Sequence, residues 1–342
     1  MRRLNGSIVR VFALALALVL TACGGSTPAD APTKITVGYI PVMIDAPLYV
    51  GIEKGYFTAE HLDIHLSPLA GGTDIITQTA TGNFDVGLGG LGVATFNALS
   101  KKIGIAVVAP LHSETPPVTT PLVTSRKAYD SGQIRSVADL KGKKVSINAA
   151  GSATEYWLSR ALAKGGLKLG DVQVESIAFS DVPAALENGA IAAAMLGEPV
   201  VTQAKDKGQV VVLSEDFISG FFPTIVLYNT KFAANKAKDG PAQGFMNAYV
   251  RACRDLQGNA FKTDEIAAIV EKYTRVPADV AKRSNAPTFD PNARFKLDDL
   301  QTMQQFYVER GGLTYKEPLD MKKEIDTSFV DAAVKKLGEY TR

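Results

Sequence analysis

The chain has 342 residues, of which 46% are apolar, 21% charged and 8% aromatic, a composition typical of globular proteins. This length predicts about two domains, each large enough to bury a core of its own. The 37 Lys and Arg residues against 35 Asp and Glu residues supply no strongly basic field, so nucleic acid is not expected as a partner.

The N-terminus carries an export signal. Arg2, Arg3 and Arg10 precede an apolar run over residues 11–20, and the sequence Leu-Thr-Ala-Cys then ends at Cys23. The run is too short for a bilayer core about 30 Å thick, which takes about 20 helical residues. The order of charged, apolar and small residues is that of a secretory signal.

Leu-Thr-Ala-Cys resembles a bacterial lipobox, in which the cysteine is acylated and becomes the first residue of the mature protein. We therefore predict a signal peptide over residues 1–22, a lipid on Cys23 and a flexible, small and polar tether over residues 23–33. The protein would be anchored to the cell membrane and face away from the cytoplasm. A plain signal with an incidental cysteine is the alternative.

From Lys34 onward, short β-type runs alternate with helical segments, which predicts an α/β fold with largely parallel strands. The predicted strands form two series, over residues 35–39, 64–69, 84–88 and 105–109 and then over residues 144–147, 172–177, 191–196 and 210–213. A proline-rich segment over residues 114–121 and a return strand over residues 222–228 mark two crossings between lobes. We predict a discontinuous lobe 1, residues 34–122 and 225–342, and a lobe 2, residues 123–224.

Helices in the C-terminal part should cover lobe 1. The first has its apolar residues at helical spacing, at Phe245, Met246, Tyr249 and Cys253. Cys253 lies on this stripe, so we interpret it as a buried packing residue rather than a reactive thiol.

Ligands of open α/β sheets bind beyond the carboxyl ends of strands, so the loops there are the candidate sites. In lobe 1, Asp45 fits a helix N-cap with Pro47 in the first turn, and the glycines of residues 70–73 allow close approach to a ligand. Residues 87–92 match the G-x-G-x-x-G spacing of dinucleotide sites. That interpretation is disfavoured, because the candidate acid Glu114 follows a prolyl loop and the chain is exported.

In lobe 2, Ser152 and Glu155 have the spacing of a capping box at the start of a helix, and Glu198 follows a predicted strand. His61 and His65 have i, i+4 spacing, but they precede or begin a strand and are not expected to bind metal.

Five sequence segments carry a family resemblance: Tyr39-Ile40-Pro41, Ala46-Pro47-Leu48-Tyr49-Val50, Glu53-Lys54-Gly55-Tyr56-Phe57, Gly82-Asn83-Phe84-Asp85-Val86-Gly87 and Val137-Ala138-Asp139-Leu140-Lys141-Gly142-Lys143-Lys144-Val145. Their sequence resembles periplasmic substrate-binding proteins of ABC importers, in the group that takes up sulfonates, taurine, nitrate, aminopyrimidine thiamine precursors and riboflavin. The resemblance departs at Ala192, where this group often has Asp.

The resemblance implies a type II periplasmic-binding-protein fold, with two lobes that each hold a mixed, largely parallel sheet flanked by helices. It also implies a monomer that closes its lobes over a small molecule and delivers it to an ABC permease with ATPase subunits. No cofactor, metal site or catalytic residue is expected. The predicted ligand-binding residues are Met43, Asp45, Tyr49, Gly72, Thr73, Gly90, Leu91, His112, Ser152, Thr154, Tyr156, Glu198 and Phe222.

The charge of the loops bears on the ligand. The loops contain Asp45, Glu114 and Glu198 but no Lys or Arg, which favours a neutral or cationic ligand rich in hydrogen-bond donors. We expect a heteroaromatic vitamin or precursor, of the riboflavin or aminopyrimidine type. An alkanesulfonate, taurine or nitrate held by backbone amides is the first alternative.

Two alternatives come from other classes of protein. One is an enzyme like those of pyrimidine synthesis, a family that shares this general fold and carries a cysteine-rich motif and a catalytic histidine. The other is a purely structural surface lipoprotein.

Overall fold

A computed structural model describes residues 31–341. The predicted signal peptide, Cys23 and most of the tether lie outside the described residues. The compact unit that follows the N-terminal segment spans Thr33–Arg342. None of the helices described has the length and apolar character that a membrane span requires.

Ten strands within residues 31–341 form two five-stranded sheets. They are β1 (Thr33–Tyr39), β2 (Leu62–Pro68), β3 (Val86–Gly90), β4 (Ile105–Pro110), β5 (Leu122–Ser125), β6 (Lys144–Ile147), β7 (Gln173–Ser176), β8 (Ala193–Met195), β9 (Val210–Ser214) and β10 (Thr224–Asn229). The first sheet has the order β2-β1-β3-β10-β4 and the second the order β7-β6-β8-β5-β9. Each sheet with its flanking helices is one lobe.

The α-helices of the same part of the chain are α1 (Ala46–Glu53), α2 (Tyr56–Ala59), α3 (Gly72–Thr81), α4 (Val93–Ser100), α5 (Arg126–Asp130), α6 (Ala153–Ala163), α7 (Val182–Glu187), α8 (Val200–Asp206), α9 (Thr230–Ala233), α10 (Pro241–Asp255), α11 (Asp264–Thr274), α12 (Ala278–Arg283), α13 (Leu297–Glu309), α14 (Met321–Glu324) and α15 (Ser328–Leu337).

Each sheet has four strands that run in one direction and one that runs against them. In the first sheet β1 is parallel to β2 and β3, whereas β10 is antiparallel to β3 and β4. In the second sheet β6 is parallel to β7 and β8, whereas β5 is antiparallel to β8 and β9. The antiparallel strand is in each case the one that enters from the other lobe. The predicted two-lobe α/β fold with mixed, largely parallel sheets is confirmed.

Strand β5 was missed by the sequence prediction. Its four residues follow Pro121 directly, and so short a run beside a proline-rich segment has no alternation of its own. All four residues are nevertheless buried, because β5 lies between β8 and β9 in the middle of the second sheet. The chain therefore enters the second sheet at Leu122 and re-enters the first sheet at Thr224. The lobe boundaries stay a prediction.

Helix α10 begins at a proline, which suits the first helical position because it has no N–H to leave unpaired. The predicted stripe of Phe245, Met246, Tyr249 and Cys253 is buried in the core of the first lobe. Burial of Cys253 confirms its interpretation as a packing residue.

The prediction that the C-terminal helices cover lobe 1 is incomplete for α13, which packs on lobe 1 and also on lobe 2. Met303 and Tyr307 of this helix share a hydrophobic cluster with Phe96 of the first lobe and Trp157 of the second. The Tyr307 hydroxyl also donates to the backbone oxygen of Ser152, at 2.5 Å. Helix α13 therefore packs across both lobes, which its apolar spacing alone could not reveal.

Candidate functional site

A cavity lies where the two lobes meet, with about 530 Å³ of space between protein atoms, a volume that includes space open to solvent. Its walls come from the carboxyl ends of the parallel strands of both sheets, which is where α/β sheets place their ligands. The residues that line it are Ile40, Val42, Ile44, Asp45, Gly72, Leu88, Gly89, Gly90, Leu111, Thr120, Asn148, Ser152, Ala153, Thr154, Trp157, Phe179, Gly197, Glu198 and Thr224.

Asp45 supplies a buried carboxylate to this cavity from a 3₁₀ turn just before α1. Its Oδ2 accepts a hydrogen bond from the backbone N–H of Ile40 at 2.9 Å, whereas its Oδ1 has no partner among residues 31–341. The pKa of Asp45 is raised well above its ordinary value, because burial penalises the charged form and the Ile40 N–H opposes this only in part.

The capping interpretation of Asp45 is wrong. Asp45 does occupy the N-cap position of α1, but its side chain makes no capping hydrogen bond. The carboxylate accepts from the Ile40 N–H instead, and its Oδ1 is left without a protein partner within residues 31–341.

Glu198 is the second buried carboxylate of the cavity and follows β8. Its Oε1 accepts from the Thr202 hydroxyl at 2.9 Å and from the Asn285 N–H at 3.1 Å, and its Oε2 accepts from the Thr202 N–H at 3.1 Å. Burial raises the pKa of Glu198, and these donors oppose the shift. The carboxylate of Glu198 is thus held by protein donors, unlike Oδ1 of Asp45.

A polar wall lies at the start of α6. The Thr154 hydroxyl donates to Oδ1 of Asn148 at 2.6 Å, and the Ser152 hydroxyl donates to the backbone oxygen of Ala149 at 2.7 Å. The predicted capping box is wrong, since Ser152 makes no side-chain cap and Glu155 accepts from the N–H of Gly151 at 2.8 Å.

Trp157 forms an aromatic wall one helical turn further along α6. It is 3% exposed, and its indole Nε1 has no hydrogen-bond partner within the described part of the chain. Because an indole nitrogen only donates, this atom calls for an acceptor.

Six of the predicted ligand-binding residues line the cavity, namely Asp45, Gly72, Gly90, Ser152, Thr154 and Glu198. Seven do not, namely Met43, Tyr49, Thr73, Leu91, His112, Tyr156 and Phe222.

His112 is displaced from the cavity by its own hydrogen bonds. Its Nδ1 is 2.5 Å from the Thr224 hydroxyl and its Nε2 is 3.2 Å from Oε1 of Glu114, so both ring nitrogens are engaged. Glu114 in turn accepts from the N–H of Thr119 at 2.8 Å. The histidine therefore supports the cavity wall from behind.

The other six residues face elsewhere because neighbouring side chains on a turn or helix point in different directions. Met43 and Leu91 belong to the apolar cores. The Tyr49 hydroxyl donates to the backbone oxygens of Ile40 at 3.1 Å and Val42 at 3.2 Å.

The remaining three residues make contacts outside the cavity: Thr73 with Ala150, Tyr156 with Phe221 and Phe306, and Phe222 with Lys296 and Asp299.

Sequence reasoning missed several lining residues. Asn148 and Leu111 are the first residues after β6 and β4, so their place next to a predicted strand end was the available signal. Phe179 offered none, since an aromatic residue beyond β7 is as common in cores as in ligand walls.

The loops of the two lobes touch at the cavity. The N–H of Val93 donates to the backbone oxygen of Gly151 at 2.8 Å, and the N–H of Met43 donates to the backbone oxygen of Glu198 at 3.1 Å. The described arrangement is therefore a closed one. Its cavity is lined by two carboxylates and, within residues 31–341, by no Lys, Arg or His.

Comparison with known proteins agrees with this architecture. A protein of Brucella abortus (strain 2308) named as a binding protein is 27% identical over 321 residues, which cover 90% of this chain and 95% of the relative. The riboflavin-binding protein RibY of Chloroflexus aurantiacus is 26% identical over 279 residues, which cover 73% of this chain and 75% of RibY.

Among solved structures, the alkanesulfonate-binding protein SsuA of Xanthomonas axonopodis pv. citri bound to MOPS shares the fold, with a TM-score of 0.70 at 17% identity over 87% of this chain and 99% of SsuA. The NMT1-like family model matches residues 29–271, well over half of the 342 residues. The chain therefore belongs to the NMT1-like family.

Proposed function

We propose that this protein is the extracytoplasmic substrate-binding component of an ABC importer, which captures a small molecule between its lobes and delivers it to a membrane permease. The observation that carries the proposal is the cavity at which the strand ends of both sheets meet. The binding proteins among its relatives and the fold shared with SsuA support the same role. The chain has no Walker sequence, so ATP hydrolysis would belong to partner subunits.

Capture would proceed by closure of the two lobes. A molecule that first meets one lobe gains contacts from the other only when the loops come together, as Val93 and Gly151 do. It then favours the closed state by the difference between its affinities for the closed and open forms.

The ligand would be a heteroaromatic vitamin or precursor of the riboflavin or aminopyrimidine type. Asp45 and Glu198 place two carboxylates at the cavity, no cation lines it among the described residues, and Trp157 and Phe179 supply ring faces. A buried anion without a cation is costly, which weighs against sulfonate or nitrate. The start of α6, from which Ser152, Ala153 and Thr154 line the cavity, favours that second candidate, because backbone N–H groups at a helix N-terminus attract anions.

Calorimetry separates the two ligand classes. The protein would be titrated with riboflavin, an aminopyrimidine, taurine, an alkanesulfonate and nitrate, and small molecules released from protein purified without refolding would be identified by mass spectrometry. We expect a heteroaromatic compound to bind. Tight binding of taurine or an alkanesulfonate, with none of riboflavin or aminopyrimidines, would overturn this ligand class.

Two observations favour a binding protein over an enzyme of the pyrimidine-synthesis type. Cys253 is buried, and burial raises the pKa of its thiol, which opposes formation of a nucleophilic thiolate. His112 is fully buried and has both ring nitrogens engaged. We expect the bound molecule to be recovered chemically unchanged after incubation with the protein. A ligand-dependent rise in the unfolding midpoint would also set it apart from a purely structural lipoprotein.

The protein would act as a monomer held at the membrane by a lipid on Cys23. The test is fractionation of cells that produce either the natural chain or Cys23→Ser. The natural chain should sediment with membranes, and the variant should not. Membrane association that persists in Cys23→Ser would refute the lipid anchor without affecting the binding role.

A further inference from the structure

Two buried polar side-chain atoms of the cavity lining have no hydrogen-bond partner within residues 31–341. They are Oδ1 of Asp45, a residue that is 1% exposed, and Nε1 of Trp157, a residue that is 3% exposed. Buried polar atoms are nearly always paired, because leaving one unpaired forfeits its interaction with water.

Two other polar side chains of the lining accept hydrogen bonds from protein donors. Oδ1 of Asn148 accepts from the hydroxyl of Thr154, and the carboxylate of Glu198 accepts from three donors. Asp45 and Trp157 thus differ from these residues, because each lines the cavity with a buried polar atom that has no partner among the described residues.

We infer that the molecule held in this cavity carries both a hydrogen-bond donor, received by Oδ1 of Asp45, and a hydrogen-bond acceptor, reached by the Nε1–H of Trp157. The inference rests on the proposed binding function and narrows its ligand class. An ionised carboxylate only accepts and an indole nitrogen only donates, so the two atoms require opposite groups when a ligand donor stabilises Asp45 in its ionised form. Nitrate and simple alkanesulfonates offer acceptors alone, whereas an aminopyrimidine, a flavin imide edge and taurine offer both.

The orientation of Asp45 makes its asparagine variant informative. Because one oxygen accepts from the Ile40 N–H, the amide oxygen of Asp45→Asn must take that place, and the NH₂ group then faces the cavity. The variant turns an acceptor into a donor at nearly constant volume. Trp157→Phe removes the indole N–H and keeps a ring face.

Ser214→Ala is the matched control, since Ser214 also carries a buried oxygen without a partner within the described part of the chain but does not line the cavity. Far-UV circular dichroism and the unfolding midpoint of each variant without added probe would establish that it folds.

Calorimetry would compare three pairs of probes that differ in the donor: lumiflavin and 3-methyllumiflavin, 4-amino-2-methylpyrimidine and its 4-methoxy counterpart, and taurine and ethanesulfonate. We expect at least one donor-bearing probe to bind the natural protein and Ser214→Ala, and to bind at least about tenfold more tightly than its partner. Asp45→Asn and Trp157→Phe should each weaken it by about tenfold or more.

If Asp45→Asn or Trp157→Phe binds the probe as tightly as the natural protein does, the inference is overturned and these atoms contact solvent instead. Equal affinity for a probe and for its partner without the donor would also overturn the inference. Binding of ethanesulfonate alone would overturn it and leave the import role standing. If no probe binds, the molecule released from the purified protein decides the question. A released molecule without a hydrogen-bond donor or without an acceptor overturns the inference, and one that carries both supports it. Absence of any binding and of any released molecule would overturn the proposed function as well.

Discussion

Gly92 offers a way to obstruct lobe closure without damaging either lobe. It lies after β3, just before α4, and a Cβ placed on it would be 2.2 Å from the backbone oxygen of Gly151 in the other lobe. Its φ of −156° is extended backbone that alanine also adopts. The strain of Gly92→Ala therefore arises from the contact between the lobes rather than from the local conformation.

The size of the effect follows from that contact. Overpacking by one methyl group costs about 1–3 kcal/mol, and a backbone carbonyl cannot rotate out of the way as a side chain can. The lobes must separate locally, which also weakens the 2.8 Å bond from the N–H of Val93 to the Gly151 oxygen, worth about 1 kcal/mol. A closed state that is about 3 kcal/mol less stable lowers the apparent affinity roughly 100-fold.

The measurement is calorimetry with whichever probe the natural protein binds, together with small-angle scattering with and without that probe. Gly170→Ala is the matched control, because a Cβ at Gly170 meets no heavy atom within 4 Å. We expect Gly92→Ala to bind about 100-fold more weakly than Gly170→Ala and to compact less when the probe is added. Equal affinity and equal compaction in the two variants would show that these loops do not meet in the bound state.

Three further predictions concern single side chains. Because burial raises the pKa of Asp45, the natural protein should lose stability relative to Asp45→Asn as pH rises above about 4, and a difference in unfolding midpoint that stays constant from about pH 4 to 8 would contradict this. Glu198→Gln should lower stability by about 1–3 kcal/mol, because its NH₂ group would face the N–H of Thr202, and an unchanged midpoint would count against that geometry. Phe245→Ala should cost about 3–5 kcal/mol in urea unfolding, since the ring is fully buried 4.9 Å from that of Phe57, and a loss below about 1 kcal/mol would refute that packing.

The sequence was sufficient to predict which loops surround the cavity but not which of their side chains face it. The rule that ligands bind beyond the carboxyl ends of strands led to Asp45, Gly90, Ser152 and Glu198, all of which line the cavity. The same rule led to His112, which does not line the cavity. The end of a strand specifies where a loop lies, but not which of the loop's residues faces the cavity.

The capping interpretations failed for a related reason. Spacing alone favoured Asp45 and Ser152 as helix caps, since both precede a helix. Neither side chain caps its helix, because Asp45 bonds to Ile40 and Ser152 to Ala149. Tertiary structure provides these competing partners, and residues that break a local rule in this way stand at the cavity.

Selectivity, on the proposed mechanism, would arise during closure rather than at first encounter. Separating the lobes removes the wall that Trp157 and Glu198 contribute and admits water to the face that carries Asp45. Closure excludes that water, so burial of Oδ1 costs free energy only in the closed state. A ligand donor offsets this cost and stabilises the closed form, whereas an acceptor-only anion adds repulsion there. Asp45, the residue whose burial opposes closure, would thereby determine which molecules can drive closure.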